Sequence, residues 1–384
     1  MAGAYDAVAR FNGGSNAGHT VVLAGKKYTF HLVPSGALKG KELLIGAGVV
    51  LDPEVLAEEL RILPTAARKR IVVDGRCTLV TPLEKEFDDL LERMRGSSAI
   101  GTTKRGIGPS YAMRALRLSP RVSDLINGFD LNDLETFYKS VGISSKGLDG
   151  WAGSTIRLLK GLAGDVASRI ESISEGGGSI LFEGSQGTLL DLLHGSYPYV
   201  TSSHTITSYV PAALGIPPSL AGEPLGVAKC YTTRVGSGPF PTELKDGDGD
   251  SIRKLGNEFG STTGRPRRVG WLDLVALKYA VRLNGVKKVA VTKLDVLSKV
   301  KGLKVCTAYR DNGRETDRFQ GSLPHLEAVE PVYESLDPLY GADFDGPLPR
   351  KAKEFIGYLE RELGVQVVLV SHGDERSSTT QLGR

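Results

Sequence analysis

KKVAVTKLDVL, residues 287–297, is a short apolar run that stops abruptly in a polar loop. The same pattern recurs at IVVD (71–74), SILFEG (179–184), LGVAKC (225–230) and VQVVLVSHG (365–373). Helical patterns lie between some of these runs. Asp52 and Pro53 open one, as N-cap and first-turn proline, ahead of EVLAEEL. A second spans 151–172 and a third 271–284. In a fourth, 350–363, apolar Phe355, Ile356, Leu359 and Leu363 recur at helical spacing and Gly364 is placed to end it. Short apolar strands alternating with helices predict an α/β fold: a large, mostly parallel central sheet flanked by helices, with loop-rich insertions. In such sheets ligands gather where the carboxyl ends of strands meet loops.

Working outward, residues 21–33 read as a hairpin turning near Gly25. Residues 100–150 read as loop-rich with helices toward the end, and 311–349, rich in Pro, Gly and Asp, as a surface excursion. No internal repeat or linker stands out, and the expectation is one domain over 1–384.

Composition narrows the function. With 384 residues and 40% hydrophobic content the chain buries a sizeable core, and charged residues, 24% of the total, nearly balance at +4. Nucleic-acid binding relies on a concentrated basic field, and no long basic run supplies one. The 48 glycines cluster in short loops, as they do in phosphate-handling enzymes. Cys77, Cys230 and Cys306 are scattered without CxxC spacing, which reads as reduced core residues. No apolar run approaches the ~20 residues a membrane span needs, and the sequence MAGAYDAVARF (1–11) carries no signal pattern. The expected location is cytoplasmic.

Five loops carry chemistry. FNGGSNAGHTVV (11–22) sets glycines, asparagines and His19 before a strand-like run; glycine lets backbone N–H groups approach an anion, and the imidazole can serve a phosphoryl oxygen. A glycine-rich turn with a solvated histidine accounts for the same residues. IGTTKRGIGP (100–109), with Arg114, Arg117 and Arg121 behind it, suits a phosphate monoester or merely leads into a basic helix. In FEGSQGTLLDLLHGSYPYVTSS (182–203), Gln186 both donates and accepts, which suits an oxo-purine edge, and the Thr201 hydroxyl suits phosphate. His194 reads as structural. GNEFGSTTGRPRR (256–268) offers Thr262, Thr263 and the fork of Arg265, Arg267 and Arg268 to carboxylates or phosphates. At 292–295, TKLD places Asp295 where a carboxylate can accept from N1–H and the exocyclic amine of guanine, with the Lys293 stem on the base.

In this order, NAGHT, GTT-x-RGIGP, EG-x-QGTLLD, HG-x-YPYVTSS, TRVG-x-GPFPTE (233–243), TTGR-x-RR-x-GWLD (262–273) and TKLDVL (292–297) make the chain resemble the adenylosuccinate synthetase family over nearly its whole length. The resemblance implies a P-loop NTPase-related α/β fold and GTP-dependent ligation of L-aspartate to IMP, giving adenylosuccinate, GDP and phosphate in AMP biosynthesis. It implies a homodimer, Mg2+ as cofactor, and two steps: phosphorylation of the IMP 6-oxygen, then displacement of that phosphate by the amine of aspartate.

By matching position, Asn16, Ala17, Gly18, His19, Thr103, Arg117, Gln186, Thr201 and Arg265 are implied to bind IMP, with Arg117 reaching the neighbouring subunit's site. His19 and Gln186 are the implied catalytic residues, and the Gly18 carbonyl the implied metal ligand. Ser261, Thr262, Thr263, Gly264, Arg265, Pro266 and Arg267 are implied to bind aspartate. GTP falls to Gly18, His19, Thr20, Arg267, Lys293, Leu294, Asp295, Ser371, His372 and Gly373.

The chain departs from the family pattern in places. Family members carry a strand and a GDEGKGK phosphate loop ahead of NAGHT, with a general base, a magnesium ligand and a phosphate-binding lysine; residues 1–15 hold nothing like it. Leu193 replaces an acid, Lys104 a glycine and Pro266 an arginine, and the C-terminal loop reads SHGDER where S/T-x-GP-x-R is usual. The leading expectation is an ordinary synthetase whose true start lies upstream of Met1. The alternatives are a catalytically impaired nucleotide-binding paralogue, a family variant using another purine nucleotide, and a plain guanine-nucleotide switch.

Overall fold

The computed structural model describes residues 2–23, 25–260 and 264–383. They form two compact units, one running up to Leu193 and including Val200–Gly222, the other made of His194–Tyr199 and the chain from Glu223 onward.

The first unit is built on a five-stranded parallel sheet in the order Ala163–Gly164, Ile71–Asp74, Glu42–Ile45, Ala7–Arg10, Ile180–Glu183. Ala7, Val8 and Ala9 are fully buried, because small and β-branched side chains let helices close over both faces of the sheet. Ala9 stands in register with Leu44 on one side and Phe182 on the other. The helix Pro53–Ile62 starts as expected: the Asp52 carboxylate accepts from the N–H groups of Glu54 at 3.1 Å and Val55 at 3.4 Å. Pro82–Arg95 starts with a reciprocal capping box between Thr81 and Glu84.

The second unit holds a four-stranded sheet in the order Leu225–Lys229, Lys288–Thr292, Gln366–Ser371, Thr379–Gln381, the first three parallel and the last antiparallel. Arg350–Leu363 packs Phe355, Ile356, Leu359 and Leu363 inward and ends on Gly364 at φ +63°, where a Cβ would be strained. Leu274–Asn284 is capped by Asp273, whose carboxylate accepts from the Ala276 N–H at 3.0 Å.

The α/β expectation holds, with most of its parallel pairing in one sheet of each unit and shorter parallel pairs at Val50–Leu51 with Thr78–Leu79 and Leu272–Asp273 with Lys304–Asp311. All five apolar runs are strands, and the early hairpin is His19–Leu23 with Lys26–Phe30. Three expectations need correction. The helix expected over 151–172 is two helices, Leu148–Leu159 and Val166–Glu175, with the strand Ala163–Gly164 between them where Gly161 and Gly164 interrupt the pattern. Helices in 100–150 begin as early as Ile107. The irregular stretch 311–349 includes the strand Glu330–Ser335, paired to Lys304–Asp311, so it is part excursion and part sheet. Among the described residues no helix is long and apolar enough to cross a membrane.

Candidate active site

In the first unit the sequence between Phe11 and His19 is shaped from beneath. The buried Arg10 guanidinium donates to the carbonyls of Asn12 (3.3 Å), Gly14 (2.9 Å) and His31. The His31 Nδ1 contacts the Ala17 carbonyl at 2.7 Å, and the half-buried His31 main chain is held by Glu59, which accepts from the N–H groups of His31, Leu32 and Val33. Asn12 spans to a distant loop: its amide donates to the carbonyls of His204 (2.8 Å) and Ser185 (3.2 Å) and accepts from the Ser185 N–H at 2.9 Å. Gly14 admits no side chain, since a Cβ there would lie 2.7 Å from both the Val50 carbonyl and the Ile107 side chain.

On this frame three expected residues converge. Asn16 Nδ2 donates to Thr201 Oγ1 at 3.2 Å, and Gln186 Nε2 donates to Asn16 Oδ1 at 3.3 Å, joining positions 185 and 170 residues apart. Gln186 sits at φ +63°, a conformation a non-glycine residue adopts at a cost, and its Oε1 is buried without a partner among the described residues. His19 Nε2 is likewise buried and unpartnered. Burial, together with Arg10 and His31, holds the His19 pKa below its ordinary value, opposed by Glu183. A buried, unpartnered amide oxygen at the end of an amide–hydroxyl chain is an arrangement that a bound ligand would satisfy.

Thr103 is half-buried on a segment pinned by two acids: Glu92 accepts from the Gly101 N–H at 2.8 Å, and Asp88 accepts from Thr102 Oγ1 and the Gly106 N–H at 3.0 Å each. Arg117 is exposed at φ +65°, capping the helix Ile107–Leu116. Its two companions serve structure. Arg114 donates to Thr78 Oγ1 and the Ala47 carbonyl at 2.6 Å each, and Arg121 grips Asp124. Gly18 and Thr20 are exposed, and the Thr20 hydroxyl lies 3.4 Å from that of Thr29.

The second unit gathers charge. Lys293, at φ +71°, ends the strand Lys288–Thr292, and the Cys230 thiol donates to its carbonyl at 2.9 Å. Lys293 Nζ donates to the Gly256 carbonyl at 3.2 Å and lies 3.4 Å from Asp374. Leu294 is buried, and Asp295 carries one carboxylate oxygen that is buried and unpartnered among the described residues. Ser371 Oγ donates to the Gly373 carbonyl at 3.0 Å, and the His372 ring stacks on Phe344 at 5.2 Å. A Cβ on Gly373 would meet Ser378 Oγ at 2.7 Å, so that turn is closed to larger residues.

Ser261, Thr262 and Thr263 lie outside the described residues. Gly264, Arg265 and Pro266 are exposed, with the Gly260 N–H donating to the Arg265 carbonyl at 2.8 Å. Arg267 Nη1 donates to Glu258 at 2.8 Å. Arg268, read in sequence as a third tine of the fork, is not a substrate group: Glu243 accepts from its Nε at 2.7 Å and its Nη2 at 2.6 Å. That bidentate pairing uses the donors a ligand would need.

Sequence reasoning missed Arg10, Asn12, Asp88, Glu92 and Glu258. Asn12 and Glu258 sit inside quoted motifs; a buried side chain that holds a motif from below leaves no signal beyond that position.

A family model described as adenylosuccinate synthetase matches residues 1–380. The chain is 42% identical over 398 residues to the adenylosuccinate synthetase of Heliobacterium modesticaldum, covering 98% of this chain and 93% of that one. To that of Carboxydothermus hydrogenoformans it is 43% identical over 402 residues, covering 97% and 92%. The fully ligated adenylosuccinate synthetase from Plasmodium falciparum superposes with a TM-score of 0.94 at 32% identity, over 100% of this chain and 95% of that one. A cyanophage S-2L succinoaminodeoxyadenylate synthetase, bound to dGMP and to dATP as an energy donor, shares the fold, with a TM-score of 0.64 at 19% identity.

Proposed function

The chain belongs to the adenylosuccinate synthetase family, and from that premise we propose how its own residues divide the work between IMP, aspartate and GTP. The activity is that of an IMP:aspartate ligase in purine-nucleotide biosynthesis.

IMP falls to Asn16, Gln186 and Thr201, with Thr103 and Arg117 contributing to its phosphate and Arg117 acting across a homodimer. The observation that carries this reading is the convergence of Asn16 on Gln186 and Thr201, with Gln186 Oε1 left buried and unpartnered. A purine 6-oxo nucleotide presents an N–H donor beside a carbonyl acceptor, and an amide matches both.

The purine 6-oxygen is a poor leaving group until phosphorylated, so transfer of the GTP γ-phosphoryl to it comes first and attack by the amine of aspartate second. His19 serves the moving phosphoryl group. Its depressed basicity supports a neutral ring until phosphoryl oxygens arrive, and their negative charge then favours the protonated form.

Gly264 to Arg267, with Ser261 to Thr263, take aspartate, and Arg267 also meets GTP. Lys293 and Asp295 read guanine, with Ser371 to Gly373 closing on it; the unpartnered Asp295 oxygen supports this, since guanine brings two donors and adenine would leave it unpaired.

Bound Mg2+ would neutralise charge on the transferring phosphoryl group; the Gly18 carbonyl would be this chain's ligand to it, with water and substrate phosphate supplying others. Among the described residues no group of three or more His, Cys, Asp or Glu side chains is arranged to hold a metal ion.

The 384 residues contain no GDEGKGK segment, so the roles the family gives that loop are assigned to no residue of this chain. The whole chain is read as one functional unit in the cytoplasm.

The test follows adenylosuccinate formation from IMP, aspartate, GTP and Mg2+ by ultraviolet absorbance, with IMP binding measured separately by calorimetry. Loss of IMP binding in Gln186→Ala at an unchanged thermal midpoint supports the assignment. IMP binding unaltered by that change overturns it.

A further inference from the structure

Glu258 lies in the second unit with 1% of its surface exposed. A carboxylate so deeply buried costs several kcal/mol unless it is paired and hydrogen-bonded. Here it is saturated. Lys229 Nζ donates to its two oxygens at 2.7 and 2.9 Å, Tyr231 Oη to one at 2.6 Å and Arg267 Nη1 to the other at 2.8 Å. Burial alone would raise its pKa, but these donors outweigh burial and hold it below the ordinary carboxylate value.

The main chain repeats the link. The Arg267 N–H donates to the Glu258 carbonyl at 2.9 Å, and Arg253 Nε donates to the Arg267 carbonyl at 2.9 Å. Two residues earlier, the Gly256 carbonyl receives Lys293 Nζ at 3.2 Å. One short turn, 256–258, therefore backs both the arginine and the lysine.

A second observation gives this cluster a direction. With Nη1 committed to Glu258, Arg267 Nε is buried and has no partner among the described residues. A buried donor left unmade costs about 1–3 kcal/mol. A guanidinium clamped at one nitrogen and orphaned at another is oriented for an acceptor it has yet to meet.

We propose that Glu258 is a positioning residue, which locks the Arg267 guanidinium against Lys229 and Tyr231 so that its remaining N–H donors face the substrate carboxylate. This rests on the reading of Arg267 as an aspartate-binding residue given above. A carboxylate does this better than a neutral group, because it holds Arg267 while also balancing Lys229. Without it two partly exposed cations would repel each other with no counter-charge between them.

The test uses the full chain and steady-state kinetics with each substrate varied in turn, alongside thermal midpoints. Glu258→Gln is expected to raise the aspartate KM about tenfold, with kcat and the IMP KM within about threefold. Tyr231→Phe keeps the carboxylate and both cations, so it holds the fold even if Glu258→Gln does not; the expected rise in aspartate KM is about two- to threefold. An unmoved aspartate KM in both variants overturns the proposal. So does a parallel shift of all three KM values with a lowered midpoint, which would make Glu258 a structural staple only. Arg267→Gln, run beside them, separates the premise from the inference. If it leaves the aspartate KM unchanged, the assignment of Arg267 fails. If it raises that KM while Glu258→Gln does not, the positioning role alone fails.

Discussion

The two units hold their candidate groups by opposite means. In the first, Asn16, Gln186 and Thr201 form a chain of neutral amides and a hydroxyl, fixed by buried polar contacts of the loop that carries them. In the second, Arg267 and Lys293 are cations held by carboxylates and carbonyls, with Glu258 at the centre. The difference follows from what each must recognise. A purine edge is read by donor–acceptor pattern, which neutral groups supply without ion desolvation. Carboxylates and phosphates are read by charge, and a cation kept ready in a partly buried site needs a counter-charge behind it.

The contrast can be broken at its strongest point through His19. His19→Asn is expected to lower kcat by about 10²–10⁴-fold, the usual worth of a proton-transferring side chain. Calorimetry with IMP should show binding within a few-fold of the unaltered protein; a kcat within tenfold would remove His19 from the chemistry.

Gln186→Ala tests the neutral side. It removes one bidentate amide and strips Asn16 of a partner, so the IMP KM should rise about 10- to 100-fold while the GTP KM stays put. An equal change in both would erase the distinction between the units.

Acid titration gives a sharper test in the second unit. Asp273 is buried and its pKa is raised to about 6, by burial first, against hydrogen bonds from Tyr309 and from the N–H groups of Ala276 and Val275. A carboxyl with a raised folded pKa opposes folding where it is ionised. Stability should therefore increase as pH falls from about 6 towards the unfolded value near 4, by up to roughly 2–3 kcal/mol. Asp273→Asn keeps the helix cap and should flatten the thermal midpoint over that window; an unchanged slope would show that other groups set it.

The smallest effect is expected at Asp374. Its contact with Lys293 is 3.4 Å long and its side chain is 69% exposed, so Asp374→Asn should alter the GTP KM by no more than about twofold. A larger change would mean that the loop 371–376 governs guanine affinity.

Local signals were legible wherever physics acts within a few residues. Asp52 with Pro53 opened a helix, Gly364 closed one, and each apolar run became a strand. The central strand Ala7–Arg10 was not singled out, because two alanines and an arginine give it little apolar signal; sheet pairing on both sides makes it a strand. The sequence from 151 to 172 reads as one helix if Gly161 and Gly164 are passed over as tolerated helix glycines; pairing of Ala163–Gly164 to the sheet breaks it in two.

Among the candidate groups, the sequence by itself determined the residue types and their order: amides and a histidine early, arginines and threonines late, then Lys293 and Asp295. Only the tertiary structure decided which were available. Arg114 and Arg268 share the chemistry of ligand-binding arginines, but the distant Thr78 and Glu243 take their donors. Arg267, one residue before Arg268, keeps a nitrogen with no partner among the described residues. Guanidinium chemistry is the same at every position; which acceptor reaches it first is set by residues that folding brings within 3 Å, and chain order does not encode that distance.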